Sequence, residues 1–203
     1  MSVRGLTFKQ ALLKRVFDIT FSVLGLLVSC PMIFIAWVIA SIETYSNGFF
    51  MQQRVGQNGK LFKVIKIKTM KRIAGVDTSI TASTDVRITK SGAFFRNTKV
   101  DELPQLWNVL VGEMSFVGPR PDVPGYADKL EGTDKAILWL RPGITGPASL
   151  KYKKEEELLS REANPQKYND EVIWPDKVKI NRQYIEKYSL TKDITYIWKT
   201  IIG

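Results

Sequence analysis

Residues 19–42 are 24 consecutive uncharged and mostly apolar residues, ITFSVLGLLVSCPMIFIAWVIASI. A run longer than about 18 is a membrane-segment candidate. It has no polar face, which argues against a core helix of a water-soluble protein. It is too long for a signal peptide and lacks a small-residue cleavage site. Basic residues flank both ends: Arg4, Lys9, Lys14 and Arg15 before it, and Arg54, Lys60, Lys63, Lys66, Lys68, Lys71 and Arg72 after it, against only Glu43. A single span cannot satisfy the positive-inside rule cleanly with that pattern. Pro31 sits inside the run and removes a helix hydrogen bond. A helix broken at Pro31 would enter and leave on one face and keep both basic flanks together. Ser29 or Cys30 could then serve a freed carbonyl. From the residues alone, this re-entrant hairpin and a kinked full span both remain open.

The rest of the chain bounds the chemistry. Its 203 residues suffice for one domain with a core plus an appended element. Lys and Arg number 30 against 20 Asp and Glu, so the surface seeks anions: nucleic acid, phosphorylated small molecules or an anionic membrane. No nucleic-acid reader motif is present, and the apolar run favours the membrane. There is no His and only one Cys, Cys30, which excludes His-based catalysis, a disulfide within the chain and a Cys-based zinc site. No GxxxxGK[ST] or GxGxxG motif points to nucleotide loops.

Residues 61–70 alternate as a strand, preceded by turn residues Gly56, Asn58 and Gly59. Residues 76–92 read as a polar loop. Residues 93–111 read as one or two short helices, with Thr98 as N-cap, Asp101 and Glu102 in the first turn, and Leu103, Leu106, Trp107 and Leu110 facing a core. Two Gly/Pro-rich loops follow, at 115–122 and 141–147, and residues 153–163 read as a charged helix. Near the C-terminus, Ile194, Ile197, Trp198, Ile201 and Ile202 form one apolar helix face, suited either to the domain or to a bilayer interface.

Asp101 and Glu102 are the strongest carboxylate candidates. Adjacent helical residues point about 100° apart, so they take separate roles rather than share a proton. An ionised Asp can bind Mg²⁺ or attack phosphorus. Lys66 and Lys68 lie two apart on the strand and share a face. Arg96 lies five residues before Asp101, and Arg120 is held between two prolines. Ordered cations beside a carboxylate suit transfer from a diphosphate.

The stretches RNTKVDELPQLWNVL (96–110) and GEMSFVGPRP (112–121) closely resemble the bacterial sugar transferase family, whose small members are monotopic phosphoglycosyl transferases. KIKTM (66–70), DVRITKSG (85–92) and RPGITG (141–146) add to the resemblance, which runs from about Leu12 to the C-terminus. The chain departs from the family pattern at Cys30 in place of Ser before Pro31, at Lys68 in place of Arg and at Val100 in place of Leu.

The resemblance implies an α+β, mostly helical fold. A re-entrant membrane helix would occupy residues 1–45, and a small cytoplasmic catalytic domain with a short β element and interfacial amphipathic helices residues 46–203. It implies transfer of a sugar-1-phosphate from a UDP-sugar to undecaprenyl phosphate with release of UMP. Asp101 would be the nucleophile and Mg²⁺ ligand, and Glu102 its assistant. Lys66, Lys68, Arg96 and Arg120 would bind substrate at the inner membrane, among anionic inner-leaflet lipids. The sugar, the glycan pathway and a homodimer are not read from the sequence. A glycosyltransferase releasing UDP and a non-catalytic scaffold of a glycan assembly complex are the alternatives.

Overall fold

The computed structural model describes residues 5–71 and 85–202. The apolar run lies within α1, Phe8–Thr44, which starts at a capping box between Thr7 and Gln10 and ends at Tyr45 in the left-handed region. It is long and apolar enough to cross a membrane. Pro31 lies inside α1, and the expected break there is not a gap in helical structure. Away from water, unpaired backbone groups cost several kcal/mol, at about the scale of an unmade hydrogen bond, so a helix loses less by bending at a proline than by unwinding. Ser29 donates to the Gly25 carbonyl rather than to that of Leu27, the group Pro31 leaves without its usual donor.

Both halves of α1 are attached to the same domain. Toward its start, Lys14 reaches Asp193 of the C-terminal helix α8 (Leu190–Ile202) at 2.6 Å. Arg15 donates to the Val109 and Leu110 carbonyls at the end of α3 (Gln105–Val111), capping that helix. Asp18 accepts from the Ser115 hydroxyl and the Phe116 amide. Toward its end, Ala36 and Ala40 pack on Ile67 and Phe95, and Ser91 donates to Glu43. Between these attachments Leu27 and Val28 are 70% and 82% exposed.

Strands β1 (Phe49–Val55) and β2 (Leu61–Ile67) form an antiparallel hairpin, with Phe49 opposite Ile67 and Val55 opposite Leu61. The turn works because Asn58 and Gly59 take positive φ. The sequence pattern showed β2, though β2 stops three residues short of Met70, and it missed β1. Part of the expected 76–92 loop, residues 76–84, lies outside the described residues. The remainder of that segment enters α2, Lys90–Thr98.

Short parallel strands β3 (Ser115–Val117) and β4 (Gly143–Thr145) bring the two Gly/Pro loops together. Gly118 and Gly143 are required there. A Cβ on Gly118 would meet the Arg141 carbonyl at 2.4 Å, and one on Gly143 the Gly118 nitrogen at 2.1 Å. Helices α4 (Pro147–Lys151), α5 (Glu155–Ser160), α6 (Pro165–Tyr168) and α7 (Trp174–Glu186) complete the domain. The largest core cluster joins Val117, Ile137, Leu138 and Leu140 to Val178, Tyr184, Ile185 and Tyr188. The fold is α+β and mostly helical.

Helix α8 packs through Tyr196 and Ile197 and buries Asp193, while Ile194, Trp198, Ile201 and Ile202 are exposed. Most of the apolar face read from the sequence therefore points away from the domain.

Asp193 also accepts from the Tyr184 hydroxyl at 2.6 Å, and the Lys14 ammonium lies 5.6 Å from the Tyr188 ring centre. Removing one partner of a buried pair leaves an uncompensated charge. Lys14→Met is expected to destabilise the protein by about 3–5 kcal/mol in thermal unfolding in detergent. Lys14→Met combined with Asp193→Leu should recover part of that loss. No recovery in the double variant would show that the pair is not the stabilising unit.

Candidate active site

Asp101 and Glu102 sit in a single 3-10 turn, Val100–Glu102, between α2 and α3. Thr98 is the last residue of α2 and its hydroxyl donates back to the Phe94 carbonyl, so it is not the N-cap the sequence suggested. The chain instead reverses at Lys99, which has φ +60°. This puts the carboxylates at a corner, with Pro104 directly ahead of α3.

The corner faces β2. Lys66 Nζ donates to Glu102 Oε1 at 2.7 Å, and both side chains are about one-fifth exposed. Their alignment depends on Asn108, which is fully buried. Its Oδ1 accepts from the Ile65 amide at 3.1 Å, and its Nδ2 donates to the Lys63 carbonyl and to Glu113 at 2.8 and 2.7 Å. Asn108 thus pins α3 to the strand carrying Lys66. The sequence analysis missed it, although an Asn among apolar helix residues was the available signal, because Asn disfavours helix interiors without a specific bond.

The two carboxylates have opposite electrostatics. Asp101 is 8% exposed, and its Oδ1 is buried with no hydrogen-bond partner among the described residues. Burial raises its pKa, and the neighbouring Glu102 charge raises it further, against the pull of Lys66, Lys99 and Arg96. Burial also penalises Glu102, but Lys66, Arg120 and Lys99 outweigh it and hold its pKa below the usual carboxylate range. Glu102 is the more readily ionised of the two, and Asp101 keeps one bare oxygen.

Arg96 is oriented by bonds to Thr69 Oγ1 at 2.9 Å and Met70 Sδ at 3.1 Å. Arg120 is exposed on the loop after β3. That loop is fastened to β1 by Arg54, which donates to the Pro121 carbonyl at 3.1 Å, and by the Val55 amide, which donates to the Asp122 carbonyl at 2.9 Å. Burial pushes Asp122 up to about 6 despite Lys177, Arg120 and Arg54 nearby. In the sequence Arg54 reads only as a flanking charge and Asp122 only as part of a Gly/Pro-rich loop, neither as a site residue. Lys68 is not brought to the carboxylates: its ammonium donates to Ser46, just after α1, at 2.8 Å. Strand β2 ends at Ile67, so the shared-face argument for Lys66 and Lys68 no longer applies.

Among the described residues no three His, Cys, Asp or Glu side chains converge on one point. Mg²⁺ does not need such a cage, since it is commonly held by one or two carboxylates plus substrate phosphates. The bare Asp101 Oδ1 beside Glu102 fits that sparse mode.

An apolar helix long enough to cross a membrane, docked beside a buried carboxylate with cations around it, defines a membrane-protein class with a site suited to phosphate groups. The chain belongs to the bacterial sugar transferase family, whose model matches residues 9–203. A Bacillus subtilis protein provisionally named an undecaprenyl-phosphate N-acetylgalactosaminyl 1-phosphate transferase is 42% identical over 62% of this chain and 70% of its own length. The galactosyl transferase CpsE of Streptococcus agalactiae is 32% identical over 98% of this chain and 44% of its own length. A UDP-glucose:undecaprenyl-phosphate glucose-1-phosphate transferase of Klebsiella pneumoniae is 32% identical over 93% of this chain and 39% of its own length. The chain therefore spans less than half of the latter two proteins.

Lys66 lowers the pKa of both carboxylates, so its removal raises both. Lys66→Met is expected to cut turnover by about 10²-fold or more and to move the acid limb of the kcat/KM profile to higher pH. An unmoved acid limb would separate Lys66 from the titrating group. Asp101 with a raised folded pKa favours the fold when protonated, a contribution lost as pH rises through that pKa. Asp101→Asn is accordingly expected to raise stability at neutral pH by about 0.5–2 kcal/mol while abolishing turnover. A lower melting temperature would contradict the strained-anion reading.

Proposed function

We propose that the protein transfers a sugar-1-phosphate from a UDP-sugar to undecaprenyl phosphate through a covalent intermediate on Asp101, releasing UMP. The observation that carries this reading is the buried Asp101 carboxylate with an unpartnered oxygen, beside a Glu102 already neutralised by Lys66. Desolvation keeps a carboxylate reactive, and the nearby cations oppose the rise in its pKa that burial causes.

In the first step an Asp101 oxygen attacks the sugar-bearing phosphorus of the donor. The bond from that phosphorus to the bridging oxygen breaks, and UMP leaves with the electron pair. In the second step a phosphate oxygen of the acceptor attacks the aspartyl phosphorus, and the Asp101 carboxylate is released. Lys66, Arg96 and Arg120 bind and orient the phosphates, and Glu102 holds Lys66 in place. Mg²⁺ at Asp101 would supply further charge neutralisation to the diphosphate.

The re-entrant topology belongs to the same proposal, with residues 1–45 as the membrane segment and 46–203 as the catalytic part at the cytoplasmic face of the inner membrane. Lys14 and Glu43 are 29 positions apart, which in a straight helix is roughly 43 Å, more than the hydrocarbon core of about 30 Å. A straight span would put the attachments of α1 on opposite sides of the bilayer, yet both engage one domain. The exposed apolar face of α8 and the basic surface suit an anionic leaflet.

Detergent-solubilised protein, undecaprenyl phosphate, Mg²⁺ and a panel of UDP-sugars should yield UMP in a lipid-dependent reaction that Asp101→Asn abolishes. A labelled phospho-sugar should be trapped on the wild type without acceptor. UDP as the product would indicate a glycosyltransferase. Intact glycan production in cells carrying Asp101→Ala would indicate a scaffold.

A further inference from the structure

An apolar groove lies between α1 and the β1–β2 hairpin, with a volume of about 250 Å³. Leu26 and Ile33 line it from α1, Met51 and Ile65 from the hairpin, Pro104 from just ahead of α3 and Trp107 from its first turn. All of its lining residues are apolar. We propose that this groove binds the first isoprene units of the polyprenyl phosphate acceptor and delivers its phosphate to Asp101. This assignment rests on the transferase reading above.

The register of the helical segment links the groove to the carboxylate. From Val100 to Val111 the chain is helical in 3-10 and then α form, with Leu103 and Pro104 also in right-handed helical conformation. Residues three apart in such a segment lie on one face, about 5–6 Å from one another. Asp101, Pro104 and Trp107 therefore form one stripe, with the carboxylate at one end and the groove at the other. On the opposing strand Ile65 lines the groove, and the next residue, Lys66, is paired with Glu102. An amphiphile with an apolar chain and a terminal phosphate matches this order of hydrocarbon wall, cation and carboxylate.

The dimensions select the occupant. The groove is slightly smaller than ordinary small-molecule pockets, which start near about 300 Å³. It accepts a short length of one chain, with the remainder lying in the bilayer along the exposed middle of α1, where Leu27, Val28 and Met32 face outward. A phospholipid brings two chains, more than a groove of this size takes. Trp107 is 52% exposed at the rim, a cost in water that a lipid chain would remove.

Leu26→Trp and Met51→Trp fill the groove from different elements. Each is expected to raise the KM for undecaprenyl phosphate by about 10-fold or more, while labelled phospho-sugar still forms on Asp101 at the wild-type rate without acceptor. Unchanged acceptor KM in both variants overturns the assignment. If both variants lose the donor half-reaction as well, photolabelling of the wild type decides. A diazirine-bearing isoprenyl phosphate should label peptides containing Leu26 or Trp107, with protection by undecaprenyl phosphate. Labelling of those peptides by a diazirine phosphatidylethanolamine that undecaprenyl phosphate does not displace assigns the groove to bulk lipid. Self-crosslinking through the groove assigns it to a second copy, and either result overturns the proposal. If the wild type shows no acceptor-dependent turnover, the transferase reading fails, and the protected photolabel alone supports or refutes isoprenoid binding.

Discussion

Lys14, Arg15 and Asp18 lie at the edge of a hydrocarbon-soluble helix, and each is matched by a partner on the folded domain. Charges near a membrane segment are costly unless partnered; here Lys14 is ion-paired, Arg15 caps two carbonyls and Asp18 accepts through Oδ1, while Asp18 Oδ2 is buried without a partner among the described residues. Asp193 comes from the last helix, the Val109 and Leu110 carbonyls from α3, and Ser115 from β3. Docking α1 therefore organises three distant parts of the domain at once. It also orients the helix, since these polar residues face the domain while Leu27, Val28 and Met32 face outward. The corner takes its position from this arrangement, because α3 carries Asn108, begins directly after Pro104 and is capped by Arg15.

The carboxylate corner shows the same economy of partners with one deliberate omission. Glu102 has Lys66, Asn108 has all its polar atoms bonded, and Arg96 is held by Thr69 and Met70. Asp101 Oδ1 has nothing among the described residues. A buried oxygen without a donor costs stability, and proteins retain such costs where a ligand or substrate completes the site. The rigid surroundings matter because a loose corner would let Asp101 rotate toward Lys66 or Lys99 and lose its bare oxygen to an ion pair. Asn108 prevents this from a distance by fixing the strand against the helix.

The membrane helix, β2 and the residues of the corner were legible in the sequence, because uninterrupted hydrophobicity, strict alternation and a long motif are local signals. What local signals could not carry was direction. Thr98 looked like a cap because it precedes two acids, yet its hydroxyl bonds backward to Phe94 and the reversal falls on Lys99, a residue with no preference for positive φ. Lys68 shared the alternation of Lys66, but the strand ends between them. Strand β1, with Phe49, Phe50 and Met51 in a row, shows no clean period and is defined by pairing with β2. Trp107 sits at core spacing but lies half open at the groove rim, a tertiary outcome that helical periodicity does not encode. Pro31 was read as a break, and helical structure persists through it because surroundings poor in water favour retained hydrogen bonds.

A soluble nucleotide and a membrane-bound lipid cannot easily share one aqueous cleft. The corner between α2 and α3 offers a physical resolution. One side of the segment carries Lys66, Arg96 and the Arg120 loop, which suit phosphates, and the stripe through Pro104 and Trp107 runs toward the apolar helix α1. A covalent intermediate on Asp101 would let the two sides act in sequence, since UMP departs before the acceptor phosphate arrives. The charged donor would then never enter the groove, and the isoprenoid would never leave its apolar surroundings. Under that proposal, desolvation of Asp101 would serve both halves, by raising the energy of the attacking carboxylate in the first and by excluding water from the aspartyl phosphate in the second. The fold sets Asp101 between the cation-bearing side of the corner and the apolar groove, and leaves one of its oxygens without a partner among the described residues.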